Sequence, residues 1–366
     1  MAKTVLLIGG GLGSLSTAIR LSHLGFKVKL FEKNQSLGGK INRVVMNSYT
    51  FDTGPTLLTM PWIIDELFQF IGKRREELIQ FIPVDPICRY FFPDGSLLDA
   101  SSDPERMHNE LNKFSPDEVT SFTKFLGYSE KIYTISNETF LKYPIHEFTK
   151  FISIKNLSTF FQIYKIDPFR TVHNVVSHFF SDRRIIQFFD RFTTYVGSNP
   201  YKAPATLNVI AYIENRFGGF YIKGGFYRLI SVLQNIADEM GIEIHTNVTV
   251  DAIHVKNGRV QGLEIAGESL AADFVICGAD VTTAYNDLIP DCSKKKKLLN
   301  RLEPSLSGML FLWGVNNKHN MLEQHNVIFS SYYKKEFDNI FTDLQPPDDP
   351  TIYISLTCRK DTHHSQ

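Results

Sequence analysis

The sequence lacks the features of metalloproteins, disulfide-rich proteins and nucleic-acid-binding proteins. Its 366 residues include only four cysteines, and none of them has the paired spacing of a metal or redox site. The formal net charge is zero, so there is no excess of positive charge to attract nucleic acid. We interpret the cysteines as reduced thiols of a cytoplasmic chain, and we expect neither a metal centre nor a nucleic-acid partner.

Long hydrophobic runs are also lacking, so no membrane-spanning helix is predicted. The first apolar segment begins at Thr4, which leaves no room for a cleavable signal peptide ahead of it. The sequence has no recognisable Ser–His–Asp set, His/Cys cluster or carboxylate pair, and we therefore name no catalytic residue. Apolar residues make up 43 % of the chain, which is enough for two domains with sizeable cores.

Glycine, in contrast, is concentrated near the start of the chain. The stretch Thr4–Lys40 holds seven glycines in 37 residues, and four of them directly follow the apolar segment Thr4–Ile8. Apolar residues then recur at helical spacing as far as Leu24, and Gly25 ends that helix before a second apolar segment, Val28–Phe31. The pattern predicts a strand–helix–strand unit with a glycine turn after its first strand.

This glycine turn indicates a site for the pyrophosphate of a dinucleotide. Gly9 allows the tight turn, and Gly11 lets the pyrophosphate approach the backbone at the helix N-terminus. The third glycine of the fingerprint would stand at position 14, where Ser14 is still small enough for helix–strand packing. Glu32 follows Gly11 by 21 residues, a position from which a carboxylate accepts hydrogen bonds from the adenosine ribose. The alternative is a glycine-rich turn that binds no ligand.

A second glycine pair favours a flavin over a nicotinamide cofactor. Gly38 and Gly39 precede the cation Lys40, and the segment "YTFDTGPTLL" adds another constrained turn. In flavoproteins, a loop of this kind places backbone donors and a cation beside the phosphates and the ring of the cofactor. Asp52, within the same segment, is interpreted as a residue that stabilises a turn rather than as a catalytic base.

Together these motifs resemble those of the carotenoid desaturase family of FAD enzymes, the phytoene desaturase-like group. The similarity is greatest to its bacterial members that act on thirty-carbon diapocarotenoids, the diapophytoene desaturases and diaponeurosporene oxidases. Amine oxidases and retinol saturases share the first motif, but the segments "YIKGGFYRL" and "HNVIF" argue against them. The matching segments extend from residue 4 to about residue 354 and are "LLIGGGLGSLSTAIRL", "FEKNQSLGGK", "YTFDTGPTLLTMP", "GGFYIKGGFYRLISVL", "VICGAD" and "HNVIFSSYY".

The resemblance implies an α/β fold, with a Rossmann-like FAD-binding domain of the glutathione-reductase type and an inserted α+β substrate domain. We expect residues 1–80 and 218–290 to form the FAD-binding domain. Residues 85–215 and 291–366 are expected to form the substrate domain, which is incomplete at its C-terminal end. The residues predicted to bind FAD are Gly9, Gly11, Gly13, Ser14, Glu32, Gly38, Gly39, Lys40, Gly54, Pro55, Thr56 and Val250, the last through its backbone at the adenine edge.

Two later segments have clear strand patterns. The sequence "VDAIHVKNGRVQGLEI" predicts a β-hairpin that turns at Asn257–Gly258. The sequence "ADFVICGAD" predicts a buried strand followed by a turn at Gly278.

Phenylalanine is concentrated between Phe140 and Phe192, a stretch that holds 11 of the 30 in the chain and includes the pairs Phe160–Phe161, Phe179–Phe180 and Phe188–Phe189. Lysines and arginines are interleaved with them, a combination that suits a surface lying on anionic lipid headgroups. The alternative is an ordinary helical core with solvated cations. The family resemblance favours peripheral contact with the inner face of the cell membrane, and the sequence does not indicate an oligomeric state.

The resemblance further implies FAD-dependent desaturation of a thirty-carbon carotenoid, a diapophytoene-like polyene, by hydride transfer to the flavin. The neighbouring polyene spreads the charge of the allylic cation, so a dry channel and accurate placement are the main requirements. Two alternatives stay open. One is oxidation of the terminal methyl group of a diapocarotenoid, and the other is an inactive truncated family member, because the C-terminal part that in relatives contributes a last FAD motif is missing here.

Overall fold

The computed structural model describes residues 2–47, 49–138, 163–290, 292–317 and 319–359. The predictions made for Phe140 and for the pair Phe160–Phe161 lie outside these residues. Within the described part, no helix is both long enough and apolar enough to cross a membrane.

In the described part, the helices in chain order are α1 (Leu12–His23), α2 (Trp62–Phe70), α3 (Pro104–Asn112), α4 (Pro116–Glu138), α5 (Val172–Phe179), α6 (Arg183–Asp190), α7 (Val209–Phe217), α8 (Tyr227–Glu239), α9 (Val281–Thr283), α10 (Ser293–Leu299) and α11 (Tyr333–Asp338). The strands are β1 (Thr4–Ile8), β2 (Lys27–Phe31), β3 (Arg43–Met46), β4 (Tyr49–Asp52), β5 (Phe81–Val84), β6 (Cys88–Phe91), β7 (Leu97–Ala100), β8 (Gly219–Ile222), β9 (Glu243–His245), β10 (Ala252–Lys256), β11 (Arg259–Ile265), β12 (Glu268–Ala271), β13 (Phe274–Cys277), β14 (His325–Ile328) and β15 (Ile352–Ser355).

The chain divides into two compact units, and each unit is formed by separate stretches of sequence. Unit 1 comprises the residues up to Ile82 together with Phe220–Pro304. Unit 2 comprises Pro83–Gly219 and Ser305–Arg359. The assignment of one part of the chain to the cofactor and the other to the substrate stays a prediction.

Unit 1 is built on a parallel sheet of four strands in the order β13–β1–β2–β9. Strand β1 is central and almost completely buried, because its side chains alternate between two apolar layers. Val5 and Leu7 face helices α1 and α8, whereas Leu6 and Ile8 pack with the antiparallel strands β10 and β11. This β1–α1–β2 arrangement confirms the Rossmann-like fold predicted from the glycine pattern.

Two strand predictions had different outcomes. The hairpin is confirmed, since Asn257 and Gly258 connect β10 to β11 with φ values of 53° and 72°, as the mirror-image hairpin turn requires. The burial predicted for "ADFVICGAD" is wrong, because β13 lies at the edge of the sheet and Phe274 is 46 % exposed. An apolar run alone does not distinguish an edge strand from a central strand.

Unit 2 contains a mixed sheet in the order β15–β14–β6–β7, in which only β14 and β6 run parallel to each other. Its core is strongly aromatic. The rings of Phe188 and Phe189 lie 4.6 Å apart, and Phe180 and Phe192 are as fully buried as this pair. These phenylalanines are therefore helical core, as the alternative prediction had it, whereas Phe169 is 91 % exposed.

A different part of unit 2 leaves large apolar side chains uncovered. The segment 309–315 belongs to no helix or strand, and Met309, Phe311 and Trp313 are 84 %, 66 % and 76 % exposed. Exposed apolar surface of this density is rare in soluble monomers.

The core of unit 2 also contains a buried histidine. His325, on β14, is 1 % exposed, and its Nδ1 lies 2.7 Å from the hydroxyl oxygen of Tyr353 on β15. Burial, with a smaller contribution from the charge of Arg191, lowers the pKa of His325 to about 4. The imidazole is therefore neutral in the folded protein at neutral pH.

Replacing Phe188 by alanine should lower the free energy of unfolding by about 3–5 kcal/mol, because the deletion leaves a cavity in a close-packed aromatic core. Phe169→Ala is the matched control and should change stability by less than about 0.5 kcal/mol, since that ring is exposed. Urea denaturation of both variants checks the prediction. Equal losses of stability in the two variants would contradict it.

Stability should also fall as the pH is lowered from about 6.5 to about 4. In the unfolded chain His325 binds a proton near pH 6.5, whereas in the folded chain it binds one only near pH 4. The titratable or charged groups that face its ring in the fold are Cys88, Tyr90, Arg191 and Tyr353. The contribution of His325 to this loss should approach about 3 kcal/mol. Urea denaturation at pH 7 and pH 4.5 should show a weaker pH dependence for His325→Asn than for the wild type.

Candidate cofactor-binding site

The turn between β1 and α1 leaves a helix N-terminus open. Gly9 has φ 88°, and its amide donates to the carbonyl oxygen of Phe31 at 2.8 Å, which turns the chain away from β1. Helix α1 starts after Gly11 with no side-chain cap and no acidic residue in its first turn. A Cβ added at Gly11 or Gly13 would meet no protein atom within 4 Å. The positive end of the helix therefore faces open space, as a bound pyrophosphate requires.

Ser14 is accommodated by a second glycine on the neighbouring strand. The Ser14 side chain is buried, and a Cβ added at Gly278 would lie 2.0 Å from its hydroxyl oxygen. Gly278 directly follows β13, and its amide donates to the carbonyl oxygen of Ile8 at 2.8 Å. The exchange of glycine for serine in the fingerprint is thus matched by a glycine opposite it, a residue that the sequence indicates only as part of a turn.

Glu32 is held against the glycine turn. It is 5 % exposed, and its Oε2 accepts a hydrogen bond from the amide of Gly10 at 2.6 Å. Its Oε1 accepts from the backbone and side-chain nitrogens of Asn34 at 2.8 and 2.7 Å. A carboxylate has about four lone-pair positions, so the group keeps capacity to accept from ribose hydroxyls.

Gly10 is a site residue that the fingerprint did not select. A Cβ at this position would lie 2.4 Å from Cδ2 of Leu37 and 3.3 Å from Oε2 of Glu32. A side chain would therefore push Glu32 and the following loop away from the turn. In the sequence, the feature that could have identified Gly10 as a site residue is its position between Gly9 and Gly11.

The second glycine pair packs against the first glycine turn. The amide of Gly38 donates to the carbonyl oxygen of Gly10 at 2.8 Å, and a Cβ at Gly39 would approach Cα of Gly11 to 3.2 Å. Gly38 has φ 119°, and a Cβ there would lie 2.1 Å from the carbonyl oxygen of Ile41. The two backbones come this close only because these positions carry no side chains.

The loop after the glycine pair reaches a third glycine. A Cβ at Gly54 would lie 2.2 Å from the carbonyl oxygen of Lys40, so the two segments are in backbone contact. Lys40 itself is exposed. The pKa of Asp280 is held below its usual value mainly by a hydrogen bond from the Thr282 amide, and the charge of Lys40 makes a smaller contribution in the same direction. An exposed cation in this position suits a phosphate group.

The other predicted residues lie around these contacts. Pro55 is exposed and Thr56 is half-buried, directly after Gly54. Asp52 accepts a hydrogen bond from the amide of Phe226, at the start of α8, at 2.5 Å, and its carboxylate thereby links β4 to this helix.

Val250 is buried with Leu6 and Phe31 in an apolar cluster. Its backbone is held in place from both sides, since the amide of Val248 donates to the carbonyl oxygen of Glu32 and the amide of Asp251 donates to that of Glu264.

These residues fit FAD. Unit 1 brings together an open helix N-terminus for the pyrophosphate, a buried carboxylate for the adenosine ribose and a lysine for a phosphate. In the described part of the chain, no group of three or more His, Cys, Asp or Glu side chains has the arrangement of a metal site.

Comparison with known proteins agrees with this geometry. The family model of flavin-containing amine oxidoreductases matches residues 15–313. The chain belongs to this family. The predicted flavoprotein fold and its FAD cofactor are thereby confirmed, and so is the enzyme class, a FAD-dependent oxidoreductase. The segments "YIKGGFYRL" and "HNVIF" therefore do not exclude kinship with amine oxidases at the level of the whole family.

Curated relatives confirm the resemblance stated from the motifs. A protein of Methylomonas named 4,4'-diapolycopene oxygenase is 36 % identical over 98 % of this chain and 72 % of its own length. A 4,4'-diaponeurosporene oxygenase of Staphylococcus haemolyticus is 31 % identical, and a 1-hydroxycarotenoid 3,4-desaturase of Flavobacterium is 32 % identical, each over 98 % of this chain.

Solved structures share the fold. An oxidoreductase of Methanosarcina mazei matches with a TM-score of 0.56 at 18 % identity, over 82 % of this chain and 66 % of its own chain. A putrescine oxidase matches with the same TM-score at 12 % identity, over 79 % of this chain and 60 % of its own. The chain thus spans slightly less than two thirds of the length of these solved structures.

The glycines of the site should separate into two groups when they are replaced by alanine. Gly11→Ala should leave the stability of the FAD-free protein unchanged, because Gly11 has φ −69° and open space around its Cβ position. It should weaken FAD binding at least about tenfold, since the added methyl group occupies the space of the pyrophosphate. Gly38→Ala should instead lower the free energy of unfolding by about 1–3 kcal/mol through strain and backbone collision.

Thermal melting of the FAD-free variants and titration with FAD check both outcomes. Gly127→Ala serves as the control for FAD affinity, which it should leave unchanged, because Gly127 lies within α4 in unit 2. Its stability should rise by about 0.5–1 kcal/mol, since alanine is the better helix former. Wild-type affinity of Gly11→Ala for FAD would show that the pyrophosphate does not lie at this turn.

Proposed function

We propose that this FAD-dependent oxidoreductase acts on a thirty-carbon carotenoid. The observation that carries the proposal is the 36 % identity, over 98 % of the chain, to a protein named 4,4'-diapolycopene oxygenase. The site geometry supports the redox part of the proposal, since the Gly9–Gly13 turn would bind the pyrophosphate, Glu32 would orient the ribose and Lys40 would pair with a phosphate.

The reaction we propose first is oxidation at the end of a diapocarotenoid. Two of the three relatives described above carry the name oxygenase, and one of these has the highest identity of the three. Converting a terminal methyl group to an aldehyde removes four electrons and adds one oxygen atom, so the reaction needs water as the oxygen source and dioxygen as the final electron acceptor. FAD, when bound, would accept one hydride in each of two successive oxidations, and the accompanying protons would pass to solvent. The role of the cofactor-binding side chains in this transfer is to hold the cofactor in place beside the substrate.

Desaturation is the second candidate, as the motif resemblance implied. It is supported by the 32 % identity to a protein named 1-hydroxycarotenoid 3,4-desaturase. In this reaction a hydride and a proton leave adjacent carbons of the chain, and a new double bond forms between them. The two candidates share one cofactor site and differ in their products.

We also propose that the protein collects its apolar substrate at the inner face of the membrane. The loop Tyr164–Arg170 supports this proposal. Tyr164 and Phe169 are 67 % and 91 % exposed, and Lys165 and Arg170 stand next to them. Asp167 holds the loop, since its carboxylate accepts from Tyr128 and from Arg170. Aromatic rings beside cations suit the headgroup region of an anionic bilayer.

The purified 366-residue chain should bind FAD and gain thermal stability from it. Incubated with FAD and diapolycopene in lipid vesicles, it should form a product that carries a carbonyl group, identified by absorption and mass spectra. With diapophytoene, an activity of the desaturase type would instead give products whose absorption moves stepwise to longer wavelengths as double bonds are added.

Gly11→Ala is the control for both substrates, since it should fold and lose turnover together with FAD affinity. A wild-type chain with no bound flavin and no melting shift would support the inactive alternative and contradict the proposed function.

A further inference from the structure

Unit 2 contains its own cluster of polar side chains on one face of its sheet. Tyr90 of β6 lies opposite Val327 of β14, and His325 lies two residues before Val327. His325 lies opposite Ser355 of β15. Because alternate residues of a strand share a face, the side chains of Tyr90, His325 and Ser355 are on the same face of the sheet.

Arg191 adds a charged group above this face. Its guanidinium carbon lies 5.1 Å from the centre of the Tyr90 ring and 5.2 Å from that of Tyr195. Its Nη2 lies 3.4 Å from Oε1 of Glu214, and both side chains are nearly buried, at 11 % and 3 % exposure. The charges of the pair cancel, and His325 is neutral because its pKa is about 4. The cluster as a whole therefore carries no net charge.

Several polar atoms of the cluster are buried without a hydrogen-bond partner among the described residues. They include Nε of Arg191 and Nε2 of His325. The Tyr90 hydroxyl is also buried, and the one group it hydrogen-bonds among the described residues is the thiol of Cys88, which is a weak acceptor. Buried polar groups in folded proteins usually have hydrogen-bond partners. These unpaired atoms therefore indicate a ligand that binds to them.

The three groups are donors. The Nε–H of Arg191 and the hydroxyl of Tyr90 donate, and Nε2 of His325 donates whenever its Nδ1 accepts from Tyr353. A matching ligand atom is an acceptor. An anion would leave a buried net charge, because Arg191 is already balanced by Glu214, so the fitting acceptor is neutral.

Two half-exposed tyrosines cover the cluster. Tyr195 is 44 % exposed and donates its hydroxyl hydrogen bond to Glu214. Tyr353 is 53 % exposed, and its ring stacks on that of His325 at an interplanar angle of 10°. The rings of Phe188 and Phe329, at 4.9 and 5.7 Å from that of Tyr90, supply an apolar wall.

We propose that Tyr90, Arg191 and His325 form a binding site in unit 2 for a carbonyl oxygen, and that its ligand is the aldehyde end of an oxidised polyene. The carbonyl supplies the neutral acceptor, and the polyene matches the aromatic wall. The choice of a polyene aldehyde rests on the proposed function, whereas the carbonyl site rests on the donor set alone.

The test compares two ligands and two variants of the full chain without FAD. The ligands are retinal, a polyene aldehyde, and the hydrocarbon of the same carbon skeleton. The variants are Tyr90→Phe, which removes one donor, and Tyr332→Phe, which removes an exposed hydroxyl at 74 % exposure. Affinity is measured by quenching of tryptophan fluorescence, and folding by thermal melting.

Tyr90→Phe should bind retinal about three- to tenfold more weakly than the wild type, the equivalent of one hydrogen bond. Its affinity for the hydrocarbon and its melting temperature should not fall, because the lost hydroxyl has only a weak partner. Tyr332→Phe should match the wild type with both ligands. The carbonyl stretching band of bound retinal should lie at lower frequency in the wild type than in Tyr90→Phe.

Three results would overturn the proposal. The first is unchanged affinity of Tyr90→Phe for retinal, and the second is equal weakening of its affinity for retinal and for the hydrocarbon. The third is a wild-type chain that binds neither ligand, which would leave the cluster as a site for internal water. Since FAD is omitted, these results are separable from a failure of the proposed function. A chain that binds retinal through Tyr90 but neither binds FAD nor turns over would keep the site and refute the enzyme assignment.

Discussion

The close approach of two glycine-containing backbones is the constraint on which the cofactor site depends. The Gly9–Gly11 turn and the Gly38–Gly39 pair lie in contact, linked by the hydrogen bond from the Gly38 amide to the Gly10 carbonyl oxygen. This contact fixes where Lys40 emerges, and it keeps Leu37 beside Glu32. Any side chain between the two backbones would separate the helix N-terminus from the groups that surround it.

Much of this site is predictable from sequence, because it is local. The strand, the glycine turn, helix α1 and Glu32 all fall within the first 32 residues, and their roles follow from spacing alone. Gly10 and Gly278 were not predicted as site residues for a different reason. Gly10 must be glycine because Leu37 lies against it, and Gly278 must be glycine because Ser14 lies against it. These contacts join residues that are far apart in the chain, so the spacing of motif residues does not predict them.

Unit 2 shows the same limit more strongly. The phenylalanines between Phe169 and Phe192 look alike in the sequence but lie in two environments. Phe169 is exposed and Phe188 is buried, and this difference depends on how the helices pack. The polar cluster as a whole follows no sequence motif. His325 opens the segment "HNVIFSSYY", but Tyr90, Arg191 and Glu214 lie outside every matching segment and come from elements far apart in the chain. The edge position of β13 is likewise a property of the sheet and not of its four apolar residues.

The uncovered segment 309–315 has a practical consequence for anyone who isolates this chain. The segment holds six large apolar side chains in seven residues, and five of them are more than half exposed to water. Contact between two such segments would remove apolar surface from water, so the apparent molar mass should rise with protein concentration. Mild detergent, which covers exposed apolar side chains, should reverse that rise.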